Sequence, residues 1–164
     1  MKYILYNHVG SANHGCEALV RTIAEIFGKK NTILLSEAPE EEKAYGISQM
    51  IEVRPALIKN HNIIDFIDGY LRLKLKDDYF PLDVLPYKKA IRQIDRKKDI
   101  LISIGGDIYC YDNYPKYILL HRYAKKYIKK SILLGCSIES NLLVDKSLLK
   151  DLQSYDLISA RESI

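Results

Sequence analysis

"KYILYNHVGSANHGCEALVRTIAEIFG", Lys2 to Gly28, changes its apolar pattern partway along, and that change decides the fold. Lys2 to Tyr6 is a short run with aromatic and β-branched members, which fits a buried strand. After Gly15, the residues Leu19, Val20, Ile23, Ala24 and Phe27 recur at the spacing of one helix face. Gly28 followed by Lys-Lys-Asn then stops the pattern. The order is strand, loop, helix.

The same alternation continues downstream. "NTILLS" (31–36) reads as a second strand, "APEEEKAYG" (38–46) as an exposed acidic stretch opened by a proline, and "MIEVRP" (50–55) as a third strand. "NIIDFIDGYLRLKL" (62–75) and "LPYKKAIRQIDRKK" (85–98) read as two helices, the first with a glycine inside it. "DILISIGGD" (99–107) is the clearest strand and ends in a glycine pair. An amphipathic helix over 113–130, a strand at 131–137, a short helix capped by Asp145 or Ser147 and a strand at 156–160 complete the chain. Continuously apolar strands alternating with helices imply an α/β fold with a mostly parallel sheet covered on both faces, a three-layer sandwich.

Composition limits the rest. The 164 residues, 48% hydrophobic and 28% charged, make one globular domain with a full core. The formal charge is +4, but 25 Lys and Arg are spread among 21 Asp and Glu, so no nucleic-acid stripe is expected. Three cysteines without an N-terminal signal segment point to a reducing, cytoplasmic setting. No apolar run approaches the roughly 18 residues that cross a bilayer. The ending "YDLISARESI", an apolar strand and a charged turn, reads as the break between this domain and a second half.

Parallel sheets bind ligands beyond the carboxyl ends of their strands. Four such ends carry unusual residues: "NHVGSANHGCE" after the first strand, "GGDIYCYDN" after the strand at 99–104, "GCSIES" after 131–134, and "RES" at the end. Gly10 and Gly15 have the glycine spacing of a triphosphate loop, but Cys16-Glu17 stand where Lys-Ser is needed, and G-x-G-x-x-G is absent. A nucleotide triphosphatase is therefore not expected. Asn7, Gly10, Asn13 and Gly15 are expected to shape one wall of a crevice and bond a sugar or anion. Glu17 either joins that wall or caps its own helix. His8, His14 and Cys16 do not have zinc-ligand spacing, so no metal is expected. All three cysteines follow strand ends, where a parallel sheet can bring them near one another.

Taken together, "NHGCEAL" (13–19), "ISIGGDIYCYDN" (102–113), "LLGCSIES" (133–140) and "ISARESI" (158–164) resemble the polysaccharide pyruvyl transferase family, four motifs in order across nearly the whole chain. Cys16 stands where many members have Asp, and Asp107 where many have a third Gly. The resemblance implies the Rossmann-like N-terminal half of a two-domain fold of the glycosyltransferase-B kind, the second domain lying outside this chain. It implies transfer of the enolpyruvyl group of phosphoenolpyruvate, without a cofactor, to a sugar of a cell-surface polysaccharide or a lipid-linked acceptor. This half alone is expected to be inactive. The rival expectations are a nucleotide-sugar glycosyltransferase of the same architecture and a non-catalytic sugar- or anion-binding module.

On that resemblance Arg161 is the expected partner of the donor's carboxylate and phosphate, since a guanidinium fork matches both. Asp112, ahead of Asp107, is expected to transfer protons. Gly105, Gly106, Ser137 and Glu139 complete the expected substrate-binding set. Six basic residues between Lys116 and Lys130 accompany an apolar stripe. The default for that segment is a solvated face, with weak contact to an anionic membrane as a further expectation. Apolar surface left by the second domain would favour a homodimer.

Overall fold

The computed structural model describes residues 1–59, 62–95 and 98–161. Six strands, β1 (Tyr3–His8), β2 (Thr32–Ser36), β3 (Glu52–Pro55), β4 (Ile100–Ser103), β5 (Lys130–Cys136) and β6 (Leu157–Ala160), form one sheet in the order β3-β2-β1-β4-β5-β6. Every pairing is parallel. The helices are α1 (His14–Phe27), α2 (Pro39–Ala44), α3 (Ile47–Met50), α4 (Ile63–Lys76), α5 (Phe80–Asp83), α6 (Leu85–Arg92), α7 (Tyr114–Ala124) and α8 (Lys146–Leu152). The strand order is that of a doubly wound, Rossmann-like sheet, which reverses direction of growth between β1 and β4.

Successive strand residues point to opposite faces. Leu5, Leu34 and Ile102 therefore pack with Val20, Ile23 and Ala24 of α1 on one side. Ile4, Tyr6, Ile33, Leu35 and Leu101 pack with Tyr87, Ala90 and Ile91 of α6 and Leu120 and Ala124 of α7 on the other. Gly28 ends α1 at φ +89°, a backbone angle that favours glycine. Among the described residues, no helix is long and apolar enough to cross a membrane.

Several local expectations need correction. The acidic stretch is exposed at Glu40, Lys43, Ala44 and Tyr45, but it forms α2 from Pro39 and turns Glu42 inward to complete burial. The helix expected over 85–98 is shorter, with a separate turn, α5, ahead of it. The helix expected over 113–130 ends at Ala124, and Lys130 already belongs to β5. Its basic residues are not one face: Lys116 reaches in to the Tyr87 hydroxyl, while Arg122 bonds Ser147. The last three residues of the "ISARESI" segment lie outside the described residues.

Candidate functional site at the switch point

Asn7 is the residue that sets the geometry. Its φ of +60°, uncommon for anything but glycine, coincides with a break in register between Leu5 and His8. The break lets Asn7 Nδ2 donate to Ser103 Oγ at 2.9 Å across to β4, while His8 turns inward to 2% exposure. There His8 Nε2 lies 2.9 Å from Glu42 Oε1, which also accepts from Ser36 Oγ at 2.9 Å, and Ser11 Oγ donates to Oε2 at 2.5 Å. One buried carboxylate on α2 thus ties the loop after β1 to the end of β2.

The same helix occupies the glycine position in that loop. A side chain at Gly10 would begin 2.2 Å from Glu41 Oε2, and that oxygen accepts from the Ala12 amide at 3.0 Å. The space at Gly10 serves Glu41, so a ligand anion would meet a carboxylate there. The start of α1 is similarly committed. Asn13 Oδ1 accepts from Gly15 N at 2.9 Å and Cys16 N at 3.3 Å, taking amides an anion would use. Glu17 turns to Arg21 Nε at 2.8 Å and to His14 at 3.3 Å, and the Arg21 hydrogen bond holds its carboxyl below the usual range.

The loop after β4 forms the opposite wall. At Gly105 an added Cβ would lie 2.4 Å from Ile108 Cγ2 and 3.0 Å from Asn7 O, so only glycine lets the two strand ends approach this closely. Replacing Gly105 by alanine is expected to destabilise the domain by about 2 kcal/mol by overpacking, read as a lower urea midpoint. Beyond it, Ser137 N donates to Gly106 O at 2.8 Å, Glu139 N to Tyr109 O at 3.3 Å and Arg161 N to Cys136 O at 3.0 Å. These bonds extend the pairing of β4, β5 and β6 past their formal ends. They also bring the Arg161 guanidinium 3.2 Å from Asp107, each about half exposed.

Between the two walls lies a crevice of about 180 Å³. Asn7, Gly105, Gly106 and Asp107 line it, with Cys16, Glu37, Tyr111 and Tyr117. It sits at the β1/β4 reversal, where open α/β sheets bind ligands. Gly10, Asn13, Gly15 and Glu17 flank it without lining it, and Ser137 and Glu139 stand farther along the β5 end. Asp112 is exposed in the turn before α7 and does not line the crevice. Glu37, Tyr111 and Tyr117 went unnoticed in the sequence. Glu37 follows β2 directly, and that strand-end position is the signal it carries in the sequence.

The thiols of Cys16 and Cys136 are held protonated. Burial first, then the charges of Asp107 and Glu42, push the Cys16 thiol up, and burial does the same for Cys136, with Cys110 adding to it. Cys110 Sγ donates to Ser137 O at 3.4 Å. A protonated thiol is a poor nucleophile, so neither Cys16 nor Cys136 is poised to react. Among the described residues no group of three His, Cys, Asp or Glu is arranged to hold a metal ion.

A second polar cluster has the members of a hydrolase triad but no access. His121 lies 3.1 Å from Asp151 through Nδ1 and 3.0 Å from Ser131 Oγ through Nε2. Ser131 and His121 are 0% exposed, so no substrate can reach the hydroxyl. Tyr155 stacks on the imidazole at 3.6 Å, and the Tyr109 hydroxyl donates to Asp151 at 3.3 Å. Burial, followed by neighbouring negative charge from Asp151, keeps the Tyr109 phenol well above its ordinary range, as a neutral donor. This network fastens α7 and α8 to β5.

Fold and crevice together define a Rossmann-like α/β domain with an open cleft at its switch point. The chain matches no family model, and no curated protein or solved structure matches it.

Proposed function

We propose that the chain is the N-terminal half of a pyruvyl transferase-like enzyme of glycosyltransferase-B architecture, with the acceptor sugar bound in the switch-point crevice. The observation that carries this reading is Asp107 on the crevice wall, 3.2 Å from Arg161. Two carboxylates, Glu37 and Asp107, suit a ligand rich in hydroxyl donors, since ionised carboxylates only accept. Tyr111 and Tyr117 offer aromatic faces beside them.

In the reaction, one acceptor hydroxyl attacks the enol carbon of phosphoenolpyruvate while the methylene carbon takes a proton. A second hydroxyl of the same sugar then displaces phosphate and closes the ketal, with inorganic phosphate as the other product. Asp107 takes the role of accepting the hydroxyl proton, ahead of Asp112, because it lines the crevice and Asp112 does not. Arg161 supplies a fork for the donor's carboxylate or phosphate. The donor carries more negative charge than one guanidinium shared with Asp107 balances, so the proposal assigns further cations to a second domain.

Titration calorimetry tests the reading with phosphoenolpyruvate, nucleotide sugars and neutral oligosaccharides as separate probes. Phosphoenolpyruvate binding that Arg161→Ala weakens by about tenfold to a hundredfold is the expected result, the loss of one charged hydrogen bond. Nucleotide-sugar binding without phosphoenolpyruvate binding would overturn it in favour of a glycosyltransferase. Binding of neutral sugar alone would favour a non-catalytic module, a reading the paired carboxylates also suit.

A further inference from the structure

An ordinary covering helix turns its apolar side to the core. α4 does the reverse. Ile63, Ile64, Ile67, Tyr70, Leu71 and Leu75 are all exposed, from 46% at Tyr70 to 78% at Leu75. At 3.6 residues per turn they and the exposed Phe66 occupy about half of the helix circumference. On the inner side, Gly69 is the one buried residue, and a Cβ there would meet Leu82 at 2.6 Å. Asp65 completes the attachment, pairing with Lys88 at 3.0 Å and Arg92 at 2.7 Å. The glycine and the two ion pairs hold the helix with its apolar half outward.

Beside this face runs a groove of about 180 Å³ between α4, α5, α6 and α7. Arg72, Lys88, Arg122 and Lys126 line it; Asp68 pairs with Arg72 at 3.3 Å and Asp65 with Lys88, and the balance of charge stays positive. An apolar helix face next to a cationic groove matches a surface that offers acyl chains and phosphates side by side. A second copy of the chain fits less well, because an isologous contact through α4 would bring the two cationic grooves near each other. Lys74 on the apolar face is no obstacle: its ammonium lies 5.8 Å from the Tyr70 ring, and a long stem lets such a group reach the headgroups.

We propose that α4 and this groove dock the protein on an anionic phospholipid bilayer, with the apolar half of α4 lying in the interface and phosphates in the groove. The proposal stands independently of the pyruvyl transfer reading. It moves membrane contact away from the basic run at 116–130, of which only Arg122 and Lys126 contribute to the groove.

Co-sedimentation with vesicles of phosphatidylcholine, alone or mixed with phosphatidylglycerol, is the test. The protein is expected to pellet with the mixed vesicles, weakly with the neutral ones, and to be released by salt. Ile67→Asp with Leu75→Asp should abolish binding, whereas Ile26→Asp, at an equally exposed apolar residue of α1, should leave it unchanged. Arg72→Glu or Lys126→Glu should weaken binding to mixed vesicles by about fivefold for each unit of positive charge lost. Failure to pellet with mixed vesicles would overturn the proposal. So would binding indifferent to Lys126→Glu, or a dimer in sedimentation velocity that Ile67→Asp with Leu75→Asp dissociates.

Discussion

Glu42→Ala is expected to lower the stability of the domain by about 3 to 5 kcal/mol, the range for breaking a buried charged partnership. The carboxylate is 0% exposed and serves three groups at once, His8, Ser11 and Ser36. Truncation strands all three away from water, and each orphaned polar group is itself destabilising by about 1 to 3 kcal/mol. Overlapping losses of this kind do not add fully. Glu42→Gln keeps the volume and one accepting oxygen, so its loss should be smaller. Urea denaturation reads both as midpoint shifts at unchanged slope. A Glu42→Ala protein within 1 kcal/mol of the original would show that the carboxylate does not hold the end of β1. Because Asn7 precedes His8 on the crevice wall, ligand binding should fall along with stability.

Asp151→Ala comes next, at about 3 kcal/mol or more. It removes the partner of His121 Nδ1 and of the Tyr109 hydroxyl, and loosens the Tyr109–Tyr155 contact at 3.2 Å. Ser131→Ala separates a structural role from a chemical one. It removes the 3.0 Å bond to His121 and a longer one from Lys125 Nζ at 3.4 Å, and should destabilise by about 1 kcal/mol. Esterase activity lost on Ser131→Ala at unchanged stability would contradict a sealed cluster. The amide of Ser131 bonds Asp156 Oδ2 at 2.8 Å in either protein, so β5 keeps its start.

The sheet was legible because β1, β2, β4 and β5 each carry an uninterrupted apolar run, and such runs leave few alternatives to a two-sided parallel arrangement. "GGD" marked one wall of the crevice because glycines following a strand stand out, whereas of "NHGCE" Cys16 alone lines it. What was hidden depends on which way a side chain faces. Glu40, Glu41 and Glu42 look alike in sequence, yet one of them is fully buried. The apolar residues of α4 gave a correct helix and no sign that they face outward, since periodicity shows that a face exists and not what covers it. Asp112 was preferred on its spacing from the glycines. Its neighbour Tyr111 lines the crevice, but Asp112 itself is exposed and outside the lining.

The pairing of β1 with β4 has a kinetic consequence. Tyr3 meets Ile100 and Tyr6 meets Ser103, partners almost a hundred residues apart. β1, β2 and β3 can associate early, since β1 needs only Thr32 to Leu34 nearby. The crevice cannot exist until β4 inserts beside β1, and closing so long a loop delays that step. During synthesis, the first half of the chain therefore waits with Ile4 and Leu5 along an unpaired central strand edge. The cleft is completed in the same late event that removes this edge, so a domain able to hold a ligand is also one that has passed its most aggregation-prone stage.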